Sequence, residues 1–204
     1  MRKVMVLPLA AALLLAAAAP VAAAANTSNS SGSGSTIQGE WWTESGSGYL
    51  YLFEDSSGDY GEIYEESGQW VSCSADPDDE NYGFQGTRTY GWAYDVELTL
   101  GSKLSSGSAT ADVELQVETV DECAGTYDVS FDATTVSVNV TGVGSVTMFR
   151  DSGSFKTPGA FNQHSRFRGK ERQAEGQLDL GPLGTRDLGF AIMAEFSWSD
   201  HSNG

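Results

Sequence analysis

The chain has 204 residues, with 28 Asp and Glu against 11 Lys and Arg, for a formal charge of −17. Such a charge keeps a protein soluble and repels nucleic acid and anionic membranes, so neither is an expected partner. The length suits one domain with a full-sized core.

In chain order, Arg2 and Lys3 give a positive start, and residues 4–19 are an apolar run of Val, Leu, Met and Ala with a Pro at position 8. Pro20 breaks that run, and Ala22 to Ala25 supply small residues for cleavage. This three-part layout predicts a secretory signal peptide cut after Ala25. The rival expectation is a membrane anchor, which needs roughly 20 apolar residues, but Pro20 and the uncharged flank oppose it. Cleavage leaves nine basic residues and a formal charge of −19. No later segment is apolar for long enough to insert in a membrane. Residues 26–35 read NTSNSSGSGS, all small and polar, and predict a disordered linker. The all-β domain is expected over residues 36–200.

From Thr36 onward the apolar period is two. Trp92, Tyr94, Val96, Leu98 and Leu100 form one stripe, and Ala111, Val113, Leu115 and Val117 a second. Tyr127, Val129 and Phe131 form a third, and Val136, Val138 and Val140 a fourth. Leu188, Phe190, Ile192, Ala194, Phe196 and Trp198 make the longest, expected to face the core together with 92–100. Gly, Ser and Asp clusters separate these runs, and no segment has a helical stripe. The pattern predicts a single antiparallel β-sandwich or flattened barrel of about ten strands. Periodicity does not choose between the two closures.

Cys73 and Cys123 are the only cysteines. In an exported chain they are expected to form a disulfide, stabilising by about 3–4 kcal/mol if closure entropy dominates. Two thiolates with no nearby His make a poor metal site, so no metal is expected. The run Asp76-Pro-Asp78-Asp79-Glu80 invites calcium, but Asn81 and Thr87 stand where an EF-hand needs Gly and Glu.

Charge is uneven: residues 36–132 carry 21 acidic and 2 basic residues, whereas residues 133–204 carry seven of each. Arg166, Arg168, Lys170 and Arg172 share one strand face. They make either an anion-binding patch or, as the surrounding charge favours, a face paired to acidic Asp112, Glu114 or Glu118. Four of five Trp and seven of eight Tyr lie between residues 41 and 94. Flat aromatic platforms bind sugars, though strands favour aromatics anyway. Trp41 and Trp42 are adjacent, so they point to opposite faces and one is exposed or capped. The binding candidates are thus Trp41, Trp42, Trp70, Arg166 and Arg168.

Enzyme chemistry has little to build on. Gly-x-Ser-x-Gly is absent, as are zinc, phosphate-loop and dinucleotide motifs, and His164 and His201 are the only histidines. No catalytic residue and no cofactor is assigned. Gly39-Glu40-Trp41-Trp42, followed by a Gly/Ser turn and Tyr49-Leu50-Tyr51-Leu52, resembles the Gly-x-Trp opening hairpin of calycin barrels. That resemblance implies a small-ligand carrier with a central cavity. The second half, from Val138 through Thr157-Pro158-Gly159 to Gly176, is similar to uncharacterised secreted bacterial all-β proteins, a resemblance that implies no site. The expected function is an extracellular, non-enzymatic β domain that binds a surface polymer such as a glycan, or a protein. A calycin-like carrier and an extracellular hydrolase are the alternatives.

Overall fold

The computed structural model describes residues 28–75, 80–157 and 161–203; the expected signal peptide at 1–25, residues 76–79 of the calcium-like run and residues 158–160 lie outside them. Among the described residues nine antiparallel strands follow the alternating pattern: β1 (Ser28–Trp42), β2 (Gly46–Asp55), β3 (Gly58–Ser72), β4 (Tyr82–Leu100), β5 (Ser106–Asp121), β6 (Thr126–Gly142), β7 (Thr147–Thr157), β8 (Phe161–Asp179) and β9 (Thr185–Asn203). β3 and β4 run on through glycines that pair within the ladder instead of turning. Gly68 and Gly86, for example, sit opposite each other in β3 and β4.

The sheet order is β6-β5-β4-β3-β2-β1-β9-β8-β7, and an additional β6–β8 pairing closes it into a ring. The closure is partial: only residues 137–142 of β6 meet residues 174–179 of β8. Because the two strands run antiparallel, the first half of β6 projects from one end of the ring. The first half of β8, with β7 beside it, projects from the other.

Ile37, Trp41, Leu50, Leu52, Ile63, Leu115, Val136, Leu178 and Met193 fill the ring at 0–1 % exposure. Burying each such aliphatic side chain contributes about 1.5–3 kcal/mol. Among the described residues, apolar side chains occupy the interior.

Two register expectations are corrected. In β9, Leu188 is buried, but beyond it Ala191 and Met193 face the core. The pairings jump from Gly176↔Leu188 to Ala174↔Ala191, so Gly189 and Phe190 together oppose Glu175. One extra residue in a bulge flips every later side chain, placing Phe190, Ile192, Ala194, Phe196 and Trp198 on the outer face. A second bulge, between Ala93 and Val96 of β4, leaves Trp92 outside at 41 % exposure and Ala93 inside. Val96, Leu98 and Leu100 keep the predicted face. The stripe Tyr127, Val129 and Phe131 is also exposed, at 41–63 %, because this part of β6 projects past the ring.

The expected disordered linker is also corrected. Residues 28–35 form the first half of β1, paired to β9 from Ser28↔Ser202 onward. Their lack of bulk is what the neighbouring strand uses. A Cβ on Gly34 would sit 2.6 Å from the Phe196 ring, and one on Gly32 would sit 2.8 Å from Trp198. Aromatic side chains of β9 lie across the bare backbone of β1, the glycine-covering arrangement that stabilises exposed sheet positions.

The predicted bridge Cys73–Cys123 is present, with Cα atoms 4.9 Å apart. Among the described residues no helix is long and apolar enough to cross a membrane.

Candidate functional site

The outer face of β1–β4 carries an aromatic surface that neither core packing nor turn formation requires. Odd residues of β2, even residues of β3 and, as far as Trp92, even residues of β4 point outward, opposite the buried Leu50, Leu52 and Ile63. The register then places Tyr49 against Tyr64 and Tyr64 against Tyr90. Their ring centroids are 5.7 and 5.2 Å apart, and Trp92 stacks on Tyr90 at 6.2 Å with 8° between planes. Tyr49 is 37 % exposed and Trp92 41 %.

Carboxylates fix the phenol groups. Glu62 accepts hydrogen bonds from Tyr49 and from Tyr60, the latter at 3.2 Å. Glu66 accepts from Tyr64 at 3.1 Å and from Arg88 Nε at 2.9 Å. Burial, then the charge and hydrogen bond of Glu66, push the Tyr64 phenol up to about 12. Burial and the hydrogen bond to Glu62 push Tyr49 higher still. Tyr49 and Tyr64 therefore stay protonated at ordinary pH, with acidic hydrogen-bond acceptors beside them.

A second belt continues around the ring. Tyr60, Tyr51, Phe53, Phe196, Phe167 and Phe149 follow one another at centroid distances of 5.4–6.4 Å. Gly34 lets Phe196 reach across β1 to Phe53, and Gly169 makes the same room for Phe149, whose ring lies 2.3 Å from where its Cβ would be.

The predicted tryptophans do not come together. Trp41 is buried and donates its Nε1–H to Glu65 at 2.8 Å. Trp42 is 61 % exposed on the opposite face, its ring over Gly189. Trp70 is 62 % exposed at the disulfide end, edge-on to Phe84 at 5.9 Å. The adjacent pair divides between the two faces as the strand period requires. The tyrosine row was not singled out. Its signal is the alternation Tyr49-x-Tyr51, Tyr60-x-Glu62-x-Tyr64-x-Glu66 and Arg88-x-Tyr90-x-Trp92, out of phase with the Leu and Gly positions.

Arg166, Arg168, Lys170 and Arg172 share a face, but not beside the predicted acidic strand. The neighbours of β8 are β7, β9 and the end of β6, so Asp112, Glu114 and Glu118 on β5 and its flank are out of ladder contact. Among the described residues only Lys170 of these four forms an ion pair, with Glu195 at 2.8 Å. Arg168 Nε donates to Ser197 Oγ at 3.1 Å, and Arg172 reaches the Lys103 carbonyl at 3.4 Å. The expected pairing to Asp112, Glu114 or Glu118 is replaced, among the described residues, by the one pair with Glu195, because chain closure puts β9 rather than β5 against this strand.

Among the described residues no group of His, Cys, Asp and Glu is placed to hold a metal ion. Glycoside hydrolysis needs a carboxyl group raised in pKa. Burial pushes Asp55 and Glu65 up, but hydrogen bonds outweigh it, from Ser57 and from Arg186 and Trp41 respectively. Hydrogen bonds from Ala124 and Gln85 likewise lower Asp121. His164 is exposed and stands opposite Ser154 and His201 in the ladders.

No family matches the chain, and no curated protein or solved structure is significantly similar to it.

Proposed function

We propose that this chain is a secreted, non-enzymatic binding domain that holds an extracellular glycan on the outer face of β2–β4. The observation that carries this is the row Tyr49–Tyr64–Tyr90–Trp92, four successive rings on adjacent strands with carboxylates interleaved. Sugar rings present C–H faces that lie flat on aromatic rings, and their hydroxyls donate to carboxylates such as Glu62. A row of this length spans several sugar units, so a polymer fits it better than a monosaccharide. The leader in residues 1–25 and the disulfide support export.

Affinity electrophoresis of the protein through gels containing soluble β-glucan, xylan or mannan tests the proposal. At least one polymer is expected to retard the protein. Tyr49→Ala and Trp92→Ala each remove about 1–1.5 kcal/mol of stacking and weaken binding about tenfold. Both side chains are partly exposed, at 37 and 41 %, so each substitution should lower the thermal midpoint only slightly. Retardation unaffected by either substitution, or seen with none of the polymers, overturns the proposal.

A further inference from the structure

The basic end of the sheet carries a charge arrangement that stability alone disfavours. The register sets Arg150 of β7 directly opposite Arg168 of β8, with Arg166 two residues along the same face. Directly opposed residues lie about 5 Å apart and alternate residues about 7 Å apart. The three arginines are therefore rooted in a patch of roughly 5 by 7 Å. Like charges directly opposite each other destabilise a sheet.

The chain has 28 carboxylates with which to relieve such repulsion, and it does so elsewhere. Arg88 pairs with Glu66 and Glu122, Arg186 with Glu65, and Lys170, the next residue on this same face, with Glu195. Among the described residues, Arg150, Arg166 and Arg168 form no ion pair. All three are exposed. Ser197 takes the Nε–H of Arg168, leaving the terminal nitrogens of that guanidinium for another acceptor. A surface groove of about 380 Å3, lined by Met148, Arg168, Lys170, Glu195, Phe196 and Ser197, opens beside the cluster.

We propose that Arg150, Arg166 and Arg168 form a binding site for oxyanion groups, sulfate or carboxylate, carried on an acidic polysaccharide. Guanidinium groups present paired N–H donors that match the oxygens of such groups, and the pairing is strong because both partners are charged. A patch of this size takes oxyanions from neighbouring sugar units. A formal charge of −17 on the whole chain opposes close approach of an extended anionic surface, such as a bilayer. A thin polymer meets only the basic end, because charges beyond about 8 Å are screened at physiological salt. The site is separate from the tyrosine row, and either stands if the other fails.

Calorimetric titration of the protein tests this, with dextran sulfate as the sulfated probe, polygalacturonate as the carboxylated probe and neutral dextran as the control. Phosphatidylglycerol vesicles form a separate arm. Binding of at least one acidic polymer is expected, weakening about tenfold or more between 50 and 200 mM salt, with no binding of dextran. Arg150→Ala and Arg168→Ala are each expected to lower affinity about tenfold. Arg168→Lys, which keeps the charge but loses the fork, should fall between. The thermal midpoint of the alanine variants should hold or rise, since each relieves a like-charge contact. Binding that survives the double alanine variant overturns the proposal, as does equal binding of neutral dextran. A fall in midpoint with affinity unchanged assigns the arginines a structural role instead. Vesicle binding removed by the same substitutions, without polysaccharide binding, overturns the polysaccharide as carrier.

Discussion

Replacing Cys73 and Cys123 together by Ser is expected to lower the unfolding free energy by about 3–4 kcal/mol. The bridge spans a sequence separation of 50 residues that contains all of β4 and β5. Its effect is concentrated at one end of the molecule, where β3, β4, β5 and the first half of β6 run past the ring. The sulfurs cross β4 at Gly83, where a Cβ would come within 2.8 Å of Cys73 Sγ and 3.0 Å of Cys123 Sγ. Polar contacts also tie this end, Arg88 to Glu66 and Glu122 and Gln85 to Asp121 at 3.0 Å, but its apolar packing is thin. Tyr82, Tyr127 and Phe131 are 57–63 % exposed, and its apolar packing rests on Phe84, Val120 and the edge of Trp70. Without the bridge, this end should open before the ring does. Amide exchange should therefore quicken in residues 66–72, 82–88 and 116–133 while Ile37, Leu52 and Val138 stay protected. Urea unfolding of the variant beside the parent checks the magnitude. A difference below about 1 kcal/mol, the size of an ordinary surface substitution, would sink the expectation.

Strand formation and the disulfide were legible in the sequence because each follows from a local rule: period-two alternation in one case, two lone cysteines behind a signal-peptide pattern in the other. Register was legible only where one face is apolar and the other polar. In β5 the alternation of Ala111, Val113 and Leu115 with Asp112 and Glu114 admits one solution, and the structure has it. In β9 the run Leu188-Gly189-Phe190-Ala191-Ile192-Met193-Ala194 is apolar in both phases. The outer face there is covered by aromatic packing over β1, so the pattern could not say where the bulge falls. The Ser/Gly segment 28–35 was opaque for the same reason. It has no side chain to bury, and its order comes from backbone pairing and from the rings of Phe196 and Trp198. The candidate surfaces depend on which strands meet. The tyrosine row needs the β2–β3–β4 register, and the unpaired arginines need ring closure through β9 rather than β5. Neither is a property of any one segment.

The second large effect lies inside the ring. Glu65, 9 % exposed, faces inward from β3 and accepts hydrogen bonds from Arg186 Nε at 2.6 Å, Arg186 Nη2 at 2.9 Å and Trp41 Nε1 at 2.8 Å. Arg186 also donates to the Leu183 carbonyl at 2.9 Å, tying the turn before β9 to β3 and β1. Breaking a buried pair from one side costs about 3–5 kcal/mol, because the remaining charge is left without a partner. The Arg186 side chain is 20 % exposed, so Glu65→Gln is expected at the low end, about 3 kcal/mol at neutral pH. Arg186→Met, which strands the carboxylate, should cost a similar amount. The double substitution Glu65→Met with Arg186→Met should cost less than the two together, since it leaves no orphaned charge.

The pH dependence has a definite sign. Burial pushes the Glu65 carboxyl up, but the hydrogen bonds from Arg186 and Trp41 outweigh it and hold the group below its ordinary value. A folded-state value lower than the unfolded value, about 4.3, means the pair's contribution is complete above that pH. It is lost as pH falls through the lower, folded value. The stability difference between the parent and Glu65→Gln should therefore be flat from about pH 7 to pH 5 and shrink below about pH 4. Urea unfolding across that range measures it, with urea preferred to guanidinium because it does not screen the pair. A difference that stays constant down to about pH 3 would mean that Glu65 is not the charged partner of Arg186 in the folded protein.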